Sequence, residues 1–431
     1  MSQTTSAESD GQARSTADAV ARRSYGKLVA FLAAGTRDVA SAEDALSEAF
    51  AAALADWPRN GCPDNPEGWL LTAARRKLID FARRRRTTEF AGGELGRLAE
   101  ELESAVHEEL HIPDHRLALM FACAHPALDA SVRAPLILQV LLGLDAAMIA
   151  SAFLVSPAAM SQRLVRAKDK IRQAGIPFRI PEREELPERL GAVLDAIYAA
   201  FAEGWADSGG TDVTRRDMAE EALFLGQLVT QLLPDEPEVL GLVALMLHAE
   251  ARRHARRNAA GEYVPLAEQD MSLWNDAMIQ AAEALLLRAS TLGCIGRYQL
   301  EGALQSAHVH RCRTGEANWP SVVQLYDALW ALSGSPVVAL NRALAVAEAD
   351  GAAAGLELLE SVRADARLTE YQPYWAARAE LLVRTGASAA ARQAYEVAIG
   401  LERDPAVRSF LQKRQSALAD SSLQPVTNRG W

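Results

Sequence analysis

An all-α protein of several domains is what this sequence predicts, and three observations carry the prediction. Ala and Leu dominate while aromatics make up only 6%, a composition that favours helix. Apolar residues recur at three- and four-residue spacing between Pro- and Gly-containing turns, and no stretch alternates in the manner of a half-buried strand. At 431 residues the chain also exceeds what a single hydrophobic core usually serves, about 250 to 300 residues.

The polar N-terminal segment 1–17 reads as a disordered tail, followed by a helix over 19–34 that stops at Gly35. Ser41 and Asp44 have capping-box spacing, and Leu46, Ala49, Phe50, Ala53, Leu54 and Trp57 then recur with helical period up to Pro58. PRNGCPDNPEG is loop by composition, and Asn65 with Pro66 supplies a cap and first turn for a third helix over 66–86. Residues 87–114 carry eight acidic side chains against one basic, with weak periodicity, and read as an acidic linker.

Helices are expected over 115–128 and 132–142, and a helix-turn-helix over 144–172. GIPFRIP closes that domain at 181. Residues 182–418 then read as an array of amphipathic helices, with a flexible tail over 419–431. Near the end of the array Trp375, Ala379, Leu382, Gly386, Ala391, Tyr395 and Ala398 fall at tetratricopeptide spacing, with the terminal proline displaced to Pro405. A degenerate copy lies 36 residues earlier, through Ala343, Asp350, Gly355 and Leu359.

The net charge of −11 argues against nucleic acid, but its distribution does not. Residues 1–181 hold 22 charges of each sign, whereas 182–431 hold 34 acidic and 23 basic, so the whole excess lies in the C-terminal part. Residues 130–181 carry seven basic and two acidic side chains, a local surface suited to a duplex.

In LDAAMIASAFLVSPAAMSQRLVRAKDKIR, Met148, Ile149 and Ala152 should be buried in the first helix, and Ser156 with Pro157 should cap and start the second. Met160, Leu164, Ala167 and Ile171 face the first helix, which leaves Ala158, Ser161, Gln162 and Arg166 to reach base edges. Arg163, Lys168, Lys170 and Arg172 suit phosphates. In the third helix seven basic residues sit within twelve, Arg75, Arg76 and Lys77 leading to Arg83–Arg86, opposed only by Asp80. Leu71, Ala74, Leu78 and Phe81 form its apolar face. Trp69, Thr72, Arg76 and Arg83 form a stripe that could meet an unstacked strand, with burial as a core residue the favoured reading for Trp69 taken alone.

NPEGWLLTAARRKLIDFARRRR resembles the region 2 signature of extracytoplasmic-function sigma factors of the sigma-70 family. SAEDALSEAFAAALADW resembles the helix with which that family grips the clamp helices of RNA polymerase, and the helix-turn-helix resembles region 4. With FACAHPAL, AGIPFRIP and the helical array, the chain looks like a subgroup that carries a long tetratricopeptide-like C-terminal extension. The resemblance implies region 2 over 18–86, region 4 over 115–181 and a regulatory extension over 182–418.

It places Asp44, Glu48 and Phe50 against polymerase, and Asn60, Asn65, Trp69, Arg75, Arg76, Arg83 and Arg84 toward the melted −10 element. Ala158, Ser161, Gln162, Arg163, Arg166 and Lys170 fall on the −35 duplex. Core RNA polymerase and promoter DNA are the expected partners, with a further protein partner for the extension. Leu154 departs from the Gly that many members have in the turn, and Met148 from their acidic residue.

Other chemistry is weakly supported. No P-loop, GxSxG, HExxH or GxGxxG occurs, so neither catalysis nor a cofactor is expected. The four cysteines lack CxxC spacing, and Cys123, His125 and their neighbours match no zinc pattern. The N-terminus lacks a signal-peptide core and no 18-residue apolar run appears, so a cytoplasmic protein without membrane association is expected. Two rival readings stay open: a helix-turn-helix regulator that needs no polymerase, and a tetratricopeptide-like adaptor.

Overall fold

The computed structural model describes residues 2–88, 114–153, 155–206 and 213–420. Among these the fold is all-α, with 18 helices and no strand. Two compact units divide the chain, one formed by residues 1–206 with 212–228, the other by 229–431 with 207–211.

The first unit opens with α1 (Ser2–Thr36), α2 (Val39–Asn60) and α3 (Pro66–Thr88), which pack on one another. Their shared core contains Leu28, Leu32, Leu46, Trp57 and Leu70. Helix α1 begins well before residue 19: Ala13, Ala17 and Val20, spaced by four and three, are buried and carry the helix through the segment expected to be a tail. The cap of α2 is Asp38 rather than Ser41, its carboxylate accepting from the Ser41 amide at 3.3 Å and the Ser41 hydroxyl at 2.8 Å. Pro58 does not close α2, which completes one further turn to Gly61, whose N–H reaches the Trp57 carbonyl at a φ of 87°.

Next come α4 (Arg116–Cys123), α5 (Ala130–Leu142), α6 (Ala146–Ala152), α7 (Pro157–Gln173) and α8 (Pro187–Ala206). Helix α5 is apolar nearly all round, with Leu136, Ile137, Leu138, Val140 and Leu141 buried, because it is packed on several sides. One of those sides is α1. At the crossing Gly26 lies so close to the Leu141 carbonyl that a Cβ there would overlap it, so only glycine permits the approach.

Another side of α5 is α8, which moves the domain boundary. The sequence places a break at 181/182, but α8 lays Leu190, Val193, Leu194 and Ile197 into the first unit, and Arg189 donates to the Phe121 carbonyl at 3.5 Å. The first part of α9 (Val213–Leu232) belongs there too. Asp217 pairs with Arg22 at 3.2 Å, Glu221 with Arg116, and the Arg116 guanidinium stands 4.6 Å from the Phe224 ring centre. The acidic linker over 87–114 falls, but for Thr87 and Thr88 at the end of α3 and for Asp114, outside the described residues, as does the tail beyond 420.

The second unit runs through α10 (Pro237–Glu250), α11 (Asp276–Ser290), α12 (Arg297–Thr314) and α13 (Trp319–Ser333). It ends with α14 (Pro336–Ala349), α15 (Ala352–Ser361), α16 (Gln372–Arg384), α17 (Ser388–Leu401) and α18 (Pro405–Asp420). Helices α14 and α15 pair as a hairpin around Ala343 and Leu359, and α16 and α17 around Ala379, Ala391, Tyr395 and Ala398. Gly386, at φ 81°, makes the turn of the second hairpin.

A chain cut after residue 182 strips α8 from α5, whereas one cut after 232 keeps the first unit whole. Circular dichroism and chemical denaturation should show cooperative unfolding for the longer fragment and its loss for the shorter. Equal cooperativity would return the boundary to 182.

Candidate nucleic-acid and polymerase interface

Helix α7 forms where local sequence demands it. Ser156 accepts from the Ala159 amide at 3.3 Å and Pro157 takes the first helical position, where its missing N–H costs nothing. The preceding α6 is capped by Asp145, which accepts from the Met148 amide at 2.8 Å. Met160, Leu164, Ala167 and Ile171 are all buried, and α6 packs on α7. In α6 Ile149 is buried as expected, but Met148 is only half-buried, and Leu154 and the Ala152 side chain lie outside the described residues.

The opposite stripe of α7 is open: Ala158, Ser161, Gln162, Arg163, Arg166 and Lys170 are all exposed. Val165, 58% exposed, stands among them and was missed by the sequence reading, although its register one turn from Ser161 and Gln162 places it there. An exposed methyl-bearing side chain between polar ones can meet a thymine methyl. Lys168 and Arg172, both expected at phosphates, are engaged by carboxylates of the same unit. Lys168 pairs with Glu43 of α2 at 2.6 Å, and Arg172 with Asp169 at 2.7 Å while standing 3.8 Å from Asp38.

On α2, Asp44 and Glu48 are exposed and Phe50 is half-buried. Glu48 lies 2.8 Å from Lys77 of α3. Glu43, also missed from sequence, lies on the same helical face as Leu46, Phe50 and Ala53, which turns it toward α7. Burial holds its carboxyl above the usual range, despite the opposing pull of Lys168. Burial, with Glu43 and Asp44 adding to it, likewise pushes the Tyr25 phenol up.

The residues expected at a melted strand are not one surface. Asn60 is exposed and bonds Asp56 at 2.7 Å, while Asn65 is exposed but accepts from the Gly68 amide at 2.9 Å as the cap of α3. Trp69 is half-buried, edge-on to Trp57 with ring centres 5.6 Å apart. Arg76 is exposed. Arg75 is not available: it is 6% exposed, its guanidinium 4.9 Å from the Phe31 ring centre. It falls on the buried face of α3 with Leu71, Ala74 and Leu78, so its stem packs where the sequence suggested a DNA contact. The side chains of Arg83 and Arg84 lie outside the described residues.

Residues 20–88 match the sigma-70 region 2 family, and residues 189–290 match a family of unknown function, DUF6596. An uncharacterized protein of Rhizobium meliloti (strain 1021) is 38% identical over 395 residues, covering 91% of this chain and 92% of its own length. No solved structure matches the chain. The chain belongs to the family of that R. meliloti protein, and its region 2 makes it a sigma-70-family sigma factor, with a role in RNA polymerase binding and promoter recognition.

The Glu43–Lys168 pair gives a pH-dependent expectation. A carboxyl whose folded pKa is raised contributes stability that is complete below its unfolded pKa and lost as pH rises through the folded one. Lys168→Met removes the group that holds Glu43 down, so the charged carboxylate is left unpaired at neutral pH. Thermal unfolding should show K168M destabilised by about 1–3 kcal/mol at neutral pH and by less near about pH 4, where Glu43 is protonated. The same loss at both pH values would contradict the pairing.

Proposed function

We propose that this sigma factor is of the extracytoplasmic-function type, with residues 41–57 docking on core polymerase, 59–86 engaging the −10 region and 157–172 reading the −35 duplex. The observation that carries this reading is the face of α7. Six side chains chosen for base and phosphate contact are exposed together, behind a Ser-Pro helix start, in the chain that also carries region 2. Gln162 and Arg166 have the donor and acceptor geometry for adenine and guanine, Arg163 and Lys170 suit phosphates, and Val165 adds an apolar contact.

On the polymerase side Asp44, Glu48 and Phe50 offer an acidic patch with one aromatic anchor. On the −10 side Arg76 and Asn60 are the open members, and Arg83 and Arg84 extend the same helix. Arg75 takes a supporting role inside the bundle. The protein acts in the cytoplasm without a cofactor and without catalysis of its own. Its C-terminal helices, a tetratricopeptide-like extension, control the activity of the sigma part through a ligand or partner. The two hairpins whose buried positions coincide with the repeat pattern support that reading.

Gel filtration with purified core RNA polymerase separates this function from a free-standing helix-turn-helix regulator. Co-elution is expected for the wild type and its loss for Asp44→Lys/Glu48→Lys. Failure of the wild type to co-elute would favour the regulator. Bound to polymerase, Arg163→Ala/Arg166→Ala should weaken promoter binding and lower the slope of log affinity against log salt by roughly 1 to 2. An unchanged slope would remove α7 from the DNA interface.

A further inference from the structure

The second unit contains a cavity of about 520 Å³, within the range of small-molecule sites. Its wall is largely apolar and aromatic, with Tyr263, Trp319, Tyr326, Leu344 and Phe410 drawn from the 3-10 region before α11 and from α13, α14 and α18. Charged groups line it unevenly. Glu348 is paired with Arg384, and Glu380 with Arg414 at 2.7 Å and the Tyr395 hydroxyl at 3.1 Å. Both carboxylates are therefore already answered by the protein.

Arg311 is not. Its guanidinium stands 3.9 Å from the centre of the Trp319 ring, donates to Asn318 Oδ1 at 3.2 Å and meets His308 Nδ1 at 2.8 Å. Among the described residues no carboxylate comes within ion-pair distance of it. Because Arg311 can only donate, His308 Nδ1 accepts, which leaves the ring proton on Nε2. Burial first, then Arg311 and Arg252, push His308 down to about 3, so the imidazole stays neutral and does not compete for an anion. Burial also lowers Arg311, in spite of Cys312, Glu348 and Tyr326, which marks a cation desolvated without full compensation.

We infer that this cavity is a binding site for a small organic acid, its carboxylate held by Arg311 and its aromatic or alkyl body enclosed by the aromatic wall. A guanidinium held over an indole presents a planar donor fork suited to a carboxylate, and a site with few polar groups in an apolar wall fixes the direction of its ligand. Tyr326, whose phenol burial pushes up to about 12, stays protonated and can donate at neutral pH. Asn341 and Gln372 line the same cavity and supply further amides.

The test is isothermal titration calorimetry of the full chain at neutral pH with hexanoate, octanoate, 3-phenylpropanoate and indole-3-propanoate, each beside its primary amide. At least one acid should bind, and its amide should bind about tenfold more weakly or worse, as loss of a charge-assisted pair requires. Arg311→Gln should lose the acid by a similar factor. Ala376→Phe, which fills the cavity without touching the charge, should lose both acid and amide. Absence of binding by every acid, equal binding of acid and amide, or full binding by A376F would overturn the site. So would binding of a short peptide with an apolar C-terminal residue where all four free acids fail. Since the readout is binding alone, the outcome is independent of whether the chain initiates transcription.

Discussion

The crossing of α1 and α5 at Gly26 is the contact on which the N-terminal unit depends. A mid-helix glycine costs about 1 kcal/mol in helix propensity, and here it is offset by letting two backbones meet at the Leu141 carbonyl. Helix α1 also packs against α2, α3 and α4. The helices of region 2 and those around α6 and α7 therefore form one compact unit rather than two bodies joined by a linker. The same arrangement brings α2 to α7, where Lys168 finds Glu43.

That packing changes the meaning of several charges. Lys168 has the residue type and the helix position of a phosphate contact, yet it is committed to an acidic residue of α2. Arg75 is committed in the same way to Phe31. The open face of α7 is untouched by these pairings, so the side that closes the unit and the side proposed to read DNA are different sides of one helix. The open face of α7 is basic, although the chain as a whole carries −11, because the acidic excess belongs to residues beyond 181.

What was legible in the sequence was local. The cap at Ser156, the proline after it and the four-residue recurrence from Met160 to Ile171 determine α7 without help from the rest of the chain, and its buried face is the one the recurrence predicts. The Asn65 cap was legible for the same reason. Positions settled by packing across the fold were not. Arg75 looks like its neighbour Arg76 in residue type, and the Phe31 ring that holds its guanidinium comes from another helix. Polar residues hid the Ala13–Ala17–Val20 stripe, and GIPFRIP read as a boundary although α8 continues into the same core. The one available signal was α5, whose apolar residues all round imply neighbours on every side. The cation on Trp319 left no sequence signature, because Arg311 and the carboxylates of the cavity come from separate helices.

The central claim, that region 2 and the open face of α7 together direct polymerase to a promoter, is tested most directly by run-off transcription. Purified core enzyme and this chain would be placed on DNA fragments from its own genome, and transcripts mapped by their 5′ ends. The account predicts starts at defined sites that share a −35 and a −10 element and vanish with Arg163→Ala/Arg166→Ala. Folded wild-type protein that co-elutes with core yet yields no specific start, or starts indifferent to those substitutions, would contradict it.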